Sequence, residues 1–362
     1  ADFAAAVEEA GMIFVGPPPS VLNSVGDKVS ARAAATAAGL PIIPGTPPVS
    51  TTAEGLVLAR EVGFPVMVKA SGGGGGRGMR VVREESEFVE AFESARREAG
   101  SAFGNDEVFV EKLVQRPKHI EVQIIADTHG DVVHLFERDC SLQRRHQQVL
   151  ELAPAPNLDP GLRDELCNSA VRFARAVGYQ NAGTVEFLVS GNDYYFIEMN
   201  PRVQVEHTVT EEITGVDIVA SQIRIAAGER LSAMGISQDT LVARDFAIQC
   251  RVTTENPENN FLPDYGRLIS YRSPGGLGVR LDAGNAFPGA IITPYYDSLL
   301  AKLTTRGRNL EEASSRALRA LGEFRVRGVE TNIAFLQKVI NNETFKNGEC
   351  DTHFIAETPE LL

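Results

Sequence analysis

Between Glu198 and Glu206 every second position carries a side chain suited to a charged ligand: Glu198, Asn200, Arg202, Gln204 and Glu206. Met199, Pro201, Val203 and Val205 lie between them. In an extended backbone alternate side chains point to opposite faces, so this spacing predicts a row of carboxylate, amide and guanidinium above an apolar underside. A solvated edge strand alternates too, but its polar face is usually an unordered mixture of Lys, Glu and Thr. Upstream, Thr184–Leu188 and the stretch from Tyr194 are β-type runs flanking Ser190-Gly-Asn-Asp193, the signal of a hairpin. A three-residue loop, Gly191 to Asp193, sets Glu186 opposite Glu198, whereas an even loop sends Glu186 to the other face. Two carboxylates and an amide oxygen on one face suit a hard divalent cation, Mg2+ or Mn2+, which prefers oxygen ligands and commonly shares its shell with nucleotide phosphates. Scattered surface acids on a hairpin are the plainer alternative.

The elements that must position this row read off in order. A helix from Phe3 to Ala10 and a short apolar strand, Met12–Val15, open the chain, which does not begin with Met. A lone parallel-type strand needs neighbours to bury it, so the first α/β units are expected to be missing. Lys28 follows Gly26-Asp27 at a helix start, where free N–H groups favour anions. Thr51 and Glu54 form a capping box, and Gly63 ends that helix. Strands are then expected at Phe64–Lys69 and Met79–Val82, around the loop Ser71 to Gly78. Gly73, Gly75 and Gly78 satisfy G-x-G-x-x-G, yet a dinucleotide fingerprint needs a helix directly after the loop, and β-branched Val81-Val82 follow instead. The remaining reading is a mobile hairpin flap whose bare backbone approaches phosphate oxygens, with Lys69 on the strand that enters it. Further strands are expected at Val108–Val114 and Ile120–Asp127. Glu137 to Gln148 is too polar for a core and is expected on the surface or lining a wet cleft. Asp159-Pro160 caps an amphipathic scaffold helix. Arg251 interrupts a strand interior, where an unpaired charge is costly, and so should point into the cleft.

Composition sets the limits. A chain of 362 residues is long enough for roughly two or three domains. With 43% hydrophobic and 23% charged residues it is a globular sequence. A net charge of −13 and a pI near 5.1 argue against nonspecific nucleic-acid binding, and no basic face of any length appears. The cationic clusters are local, at Arg77, Lys118-His119 and Arg144-Arg-His146, as a small anionic ligand would require. The four cysteines, Cys140, Cys167, Cys250 and Cys350, have no metal or redox spacing, which points to inert thiols in a reducing compartment. No apolar run approaches the ~20 residues of a membrane span.

Taken together, Lys69 with the Gly72 to Gly78 flap, Glu137-Arg-Asp-Cys-Ser, Gln143-Arg-Arg-His146, Gly183-Thr-Val-Glu186-Phe and Glu198 to His207 resemble the biotin carboxylase component of biotin-dependent carboxylases. Ala153-Pro-Ala-Pro156, Tyr271 to Gly276 and the carboxy-terminal residues are most similar to the pyruvate carboxylase branch, with acyl-CoA carboxylases second. The resemblance implies an α/β and α+β chain of ATP-grasp fold. It implies a remnant amino-terminal α/β subdomain at 1–45, a glycine-rich lid at 46–114, and the core with a carboxy-terminal subdomain at 115–362. It further implies that ATP phosphorylates bicarbonate to carboxyphosphate, which yields the CO2 that carboxylates biotin N1′. Glu186, Glu198 and Asn200 are implied to hold two Mg2+ or Mn2+. Lys28, Lys69, Gly73, Gly74, Gly75, Gly76 and His146 are implied around the ATP phosphates, His119 and Gln143 on the ribose side, and Met79, Glu111, Lys112, Val114 and Leu188 around the nucleotide. Arg202, Gln204 and the Val205 backbone are implied to bind bicarbonate, Glu206 to take its proton, and Arg251 to stabilise the biotin enolate. The implied partners are biotin carboxyl carrier and carboxyltransferase domains and a second copy of the chain, with no nucleic acid or membrane. The implied setting is the cytoplasm, or the mitochondrial matrix in a eukaryote. One residue departs from the pattern: where the family has Arg-Arg-His-Gln-Lys, this chain ends the motif at Gln148. That loss of a cation predicts normal ATP binding with poor coupling to biotin. A carboxylate–amine ligase of the same fold shares the flap and metal acids but has no use for Arg202 to Glu206 or Arg251. A nucleotide-binding module without catalysis is the remaining alternative.

Overall fold

The computed structural model describes residues 1–71, 78–145, 147–284 and 286–362, with the Phe103 side chain left aside. Gly72 to Arg77, which include the flap glycines Gly73 to Gly76, and His146 therefore lie outside the described residues.

Helices α1 (Asp2–Glu9), α2 (Pro19–Gly26) and α3 (Lys28–Ala37) open the chain. The expected strand Met12–Val15 does not form: no strand covers it, and Met12 and Ile13 are 60% and 69% exposed. Among the described residues no strand lies beside it to take up its hydrogen bonds, so its apolar pattern has nothing to bury against.

Helix α4 (Thr52–Val62) begins at the Thr51 cap, whose hydroxyl accepts the Glu54 N–H, and stops at Gly63 with φ of 83°. Strands β1 (Val66–Ala70) and β2 (Met79–Val82), helix α5 (Phe88–Phe103) and strand β3 (Val108–Lys112) complete a small unit with sheet order β2-β1-β3. Val66, Val68, Phe88, Phe92 and Val110 form its own core.

The main sheet has eight antiparallel strands. Strands β4 (Lys118–Ala126), β5 (Val132–Arg144) and β6 (Gln147–Ala153) precede helix α6 (Pro160–Ala176). Strands β7 (Asn181–Ser190) and β8 (Asp193–Asn200) follow, then helices α7 (His207–Thr214) and α8 (Ile218–Ala226). Strands β9 (Phe246–Thr253), β10 (Val279–Ala283) and β11 (Leu299–Gly307) complete it, in the order β10-β11-β9-β6-β5-β4-β7-β8. Helices α9 (Leu310–Glu323) and α10 (Ile333–Asn341) pack on the β9–β11 end through Ala313, Ala317, Leu336 and Val339. Among the described residues no helix is long and apolar enough to cross a membrane.

Three expectations about the site's scaffold are corrected. The β7–β8 turn has two residues, Gly191 and Asn192, with Ser190 paired to Asp193. That even loop alone would turn Glu186 away, but a bulge at Ile197 shifts the ladder by one, and Glu186 pairs with Glu198 after all. The polar row does not continue as one strand: β8 ends at Asn200, and residues 201–206 turn into α7. Finally, the Glu137–Asp139 stretch neither lies on the surface nor lines a wet cleft. It runs through the middle of β5, and Glu137 and Arg138 are 0% exposed. Burial is tolerable there because Arg138 and Asp139 find partners on the neighbouring strands, and Glu137 accepts from Arg163 of α6 and from the Ala155 N–H.

Candidate active site

At one end of the cleft the β7–β8 register sets Glu186 against Glu198. Glu186 Oε1 accepts hydrogen bonds from the Asn200 amide and from Gln204 Nε2, the latter at 3.2 Å. Its Oε2 lies 2.9 Å from His119 Nε2, which β4 delivers from the neighbouring strand. Gln143 places its amide nitrogen 2.7 Å from His119 Nδ1. Burial disfavours charge on His119, but Glu186, Glu121 and Glu206 outweigh it and hold the imidazole at about 9. Glu186 is likewise opposed by burial yet kept below the ordinary range by His119, Gln204 and Arg138.

Glu198 behaves oppositely. Burial and the Glu186 charge push it up, with Lys28, His119 and Lys69 pulling the other way. No described residue hydrogen-bonds or ion-pairs with its carboxylate. A half-buried acid with free lone pairs, paired across the strands with a second acid and followed by an amide two residues on, is a donor set of the type that fits a hard divalent cation.

At the other end Arg251 leaves β9 and meets three partners. Its Nε donates to Glu151 Oε1 at 2.5 Å, and its Nη2 donates to Gln148 Oε1 at 2.6 Å and Glu206 Oε2 at 2.9 Å. The strand charge, expected to point into the cleft, is in addition paired there, with Glu151 and Glu206. Burial, then the like charge of Glu121, raises Glu206 to about 7, against the pull of Arg138 and Arg251. Burial raises Glu151 to about 7 as well. Lys302 of β11 stands directly across from Arg251 in the sheet and donates to the Val205 carbonyl at 3.3 Å. Arg202 is exposed and bonds to Asn200 Oδ1 at 3.3 Å.

Arg138, wholly buried beneath these groups, binds Glu121, Gln123, Thr210, Thr184 and Gln204 at 2.6 to 3.2 Å. It joins β4, β5, β7, the turn and α7, and orients Gln204 from below.

The remaining expected residues lie around the small sheet. Lys69 is 2.6 Å from Glu111 Oε2, and Arg32 of α3 pairs with the other oxygen of that carboxylate. Met79 pairs with Lys69 across β1 and β2. Lys112 donates to the Gly63 and Phe64 carbonyls at 2.7 and 3.2 Å, and Val114 lies half-buried just beyond β3. Lys28 is exposed in the first turn of α3, where Asp27 caps the Ser30 N–H at 2.7 Å. Leu188 pairs with His119 across β4 and β7.

Sequence reasoning missed Arg32, Arg138, Glu151 and Lys302. The position of Glu151 alone, an acid inside Val149-Leu-Glu-Leu-Ala153, is a signal, since a charge in an apolar run demands a buried partner.

A small three-stranded sheet beside a large antiparallel one, with two acids paired at the edge of the latter, is the arrangement of an ATP-grasp ligase. Residues 27–234 match the carbamoyl-phosphate synthase L chain ATP binding domain, and residues 249–357 match the biotin carboxylase C-terminal domain. Pyruvate carboxylase of Aspergillus niger is 58% identical over 100% of this chain and 30% of its own length. That of Bacillus subtilis (strain 168) is 56% identical over 99% of this chain and 32% of its own. The chain thus spans about a third of these curated relatives. The solved biotin carboxylase domain of Hydrogenobacter thermophilus 2-oxoglutarate carboxylase superposes with a TM-score of 0.94 at 43% identity, covering 99% of this chain and 79% of that one. Rhizobium etli pyruvate carboxylase superposes with a TM-score of 0.94 at 51% identity, over 99% and 32% of the two chains. The chain belongs to the biotin carboxylase family of ATP-grasp ligases.

Proposed function

We propose that this chain carries out the ATP-dependent carboxylation of biotin by bicarbonate, as the biotin carboxylase part of a pyruvate carboxylase. The observation that carries the reading is the acid Glu206, raised to about 7 and bound to Arg251, near enough to His119, the partner of Glu186 in the Glu186–Glu198 pair, to act on its charge. A base with a pKa near the working pH combines availability with driving force. The H. thermophilus domain was solved as a dimer with MgADP, ADP and bicarbonate, which supports both the ligands and a second copy as partner.

Glu186, Glu198 and Asn200 would hold two Mg2+ or Mn2+. When bound, these ions neutralise the phosphoryl group passing from ATP to bicarbonate. Lys28, Lys69, the flap glycines and His146 would steady the phosphates. His119 and Gln143 are proposed on the ribose side, and Met79, Glu111, Lys112, Val114 and Leu188 around the rest of the nucleotide. Arg202, the Gln204 amide and the Val205 N–H would hold bicarbonate while Glu206 takes its proton. Arg251 would meet the oxygen of biotin that gains charge only along the reaction.

The division at 45 and 114 is supported by the separate core of the small sheet. The biotin carboxyl carrier and carboxyltransferase domains are proposed for the part of the protein that the relatives have beyond this chain. Four free buried cysteines accord with a reducing setting, the cytoplasm or the mitochondrial matrix.

The test is phosphate release from ATP with and without bicarbonate and free biotin. Stimulation by both is expected. Tight ATP binding with no response to either would leave a nucleotide-binding module, the reading that Gln148 favours.

A further inference from the structure

Glu151 has no part in the scheme above, yet it is the most deeply buried of the acids around Arg251, at 0% exposure. Its Oε1 receives the Arg251 Nε, and its Oε2 receives Gln249 Nε2 at 2.8 Å. Gln249 Oε1 in turn accepts from Thr208 Oγ1 at 2.5 Å, and Thr208 lies 2.7 Å from Thr304 Oγ1. Thr208 sits in the first turn of α7, the helix that Glu206 precedes. A chain of hydrogen bonds therefore leaves Arg251 through Glu151 and returns to the helix start beside Glu206. With Nε held by Glu151 and Nη2 by Gln148 and Glu206, no described residue hydrogen-bonds to Arg251 Nη1. A guanidinium pinned on two nitrogens cannot rotate, and its third nitrogen is aimed in advance at whatever oxygen enters the cleft.

The charges add a second role. Glu151 and Glu206 share one cation, and neutral Gln148 contributes none. Both acids bond to the one guanidinium, and burial first of all raises both to about 7, with the Glu206 charge adding to the rise at Glu151. Glu121, Arg138, Cys140 and His119 also face Glu206 from β4 and β5, and Lys302 faces Glu151 from β11.

We infer that Glu151 is a positioning residue of the reaction, fixing the Arg251 guanidinium and, by competing for it, setting the proton affinity of Glu206. The inference rests on the proposed role of Glu206 and extends it. Substituting Glu151→Gln keeps the shape and removes the charge, so Arg251 turns wholly to Glu206. The proton affinity of Glu206 then falls.

The test compares wild type, Glu151→Gln and Glu151→Asp. In Glu151→Gln the acid limb of the pH profile for bicarbonate-dependent phosphate release should move down by about one pH unit, with the KM for ATP unchanged. Glu151→Asp, which keeps the charge but shortens the reach, should leave the limb in place and lower biotin-dependent turnover. A limb that stays put in a folded Glu151→Gln protein, with wild-type protection by MgADP against thermal unfolding, would overturn the inference. If the wild type gives no bicarbonate-dependent release, the functional reading itself fails. Carbon-13 titration of the Glu206 carboxyl in the same proteins then decides the inference alone, a fall of about one unit in Glu151→Gln supporting it and no change rejecting it.

Discussion

A lysine and a glutamine at position 148 ask different things of Arg251. The glutamine accepts from Arg251 Nη2 at 2.6 Å through its carbonyl oxygen, so it helps to hold the guanidinium. A lysine can only donate, and its charge would turn instead toward Glu206, Glu151 or an incoming anion. A charge-assisted hydrogen bond in such a cleft contributes about 1.5–3 kcal/mol, or roughly ten- to a hundredfold in rate. Restoring the family residue, Gln148→Lys, should therefore raise biotin-dependent phosphate release by about that factor at unchanged KM for ATP. Steady-state kinetics of the two proteins checks this, and equal turnover would show that the missing cation is not what limits coupling. Position 148 was legible in the sequence as a departure, but its bond to Arg251 was not. The two residues are 103 apart in the chain, and only the neighbouring of β6 and β9 brings them together. Arg138 was hidden for the same reason: its partners come from four separate segments.

Strands and turns carry the geometry of the proposed metal site, and here local pattern and final register part company. The alternation from Glu198 to Glu206 predicts one extended row, yet the backbone turns after Asn200 and still brings Gln204 to Glu186. Glu186 meets Glu198 for a reason the sequence hides. Gly191, at φ of 60°, allows a two-residue turn, and the residue this removes from the loop reappears as the Ile197 bulge. The bulge lets Phe196 face the core at 1% exposure, opposite Phe187, while Glu198 faces the cleft opposite Glu186. In a regular strand, residues two apart would share a face. Deleting Ile197 makes them adjacent in sequence, and adjacent residues point to opposite faces without a bulge. A chain lacking Ile197 is thus expected to fold and to bind Mn2+ within about tenfold of wild type, as read by electron paramagnetic resonance titration. Loss of Mn2+ binding in a folded deletion would mean that the extra residue itself, rather than the register, sets the carboxylates.

At the scale of the whole molecule, the small sheet is the proposed lid. Its core of valines and phenylalanines is separate from the main ones, so it can shift as a body without opening them. What ties it down near the cleft is Glu111, 2% exposed, which pairs at once with Lys69 of the small sheet and with Arg32 of α3. The backbone is close there too: the Thr46 and Lys112 N–H groups donate to the Val110 and Pro44 carbonyls at 2.9 and 2.8 Å, and Gly45 leaves no room for a Cβ beside Glu111. A buried carboxylate between two cations both anchors the lid and occupies Lys69, the lysine proposed for the ATP phosphates. Replacing Glu111 by Gln leaves two cations around a neutral group, and their mutual repulsion replaces two attractions. Amide exchange across residues 46–112 should then quicken by about tenfold or more while β4, β5 and β7 keep their protection. The freed Lys69 should at the same time make MgATP binding less dependent on closing the lid, so added MgATP should restore protection more fully in Glu111→Gln than in wild type. Hydrogen exchange measured with and without nucleotide checks both halves, and unchanged exchange over 46–112 would show that the backbone bonds, and not the Glu111 ion pairs, hold the lid.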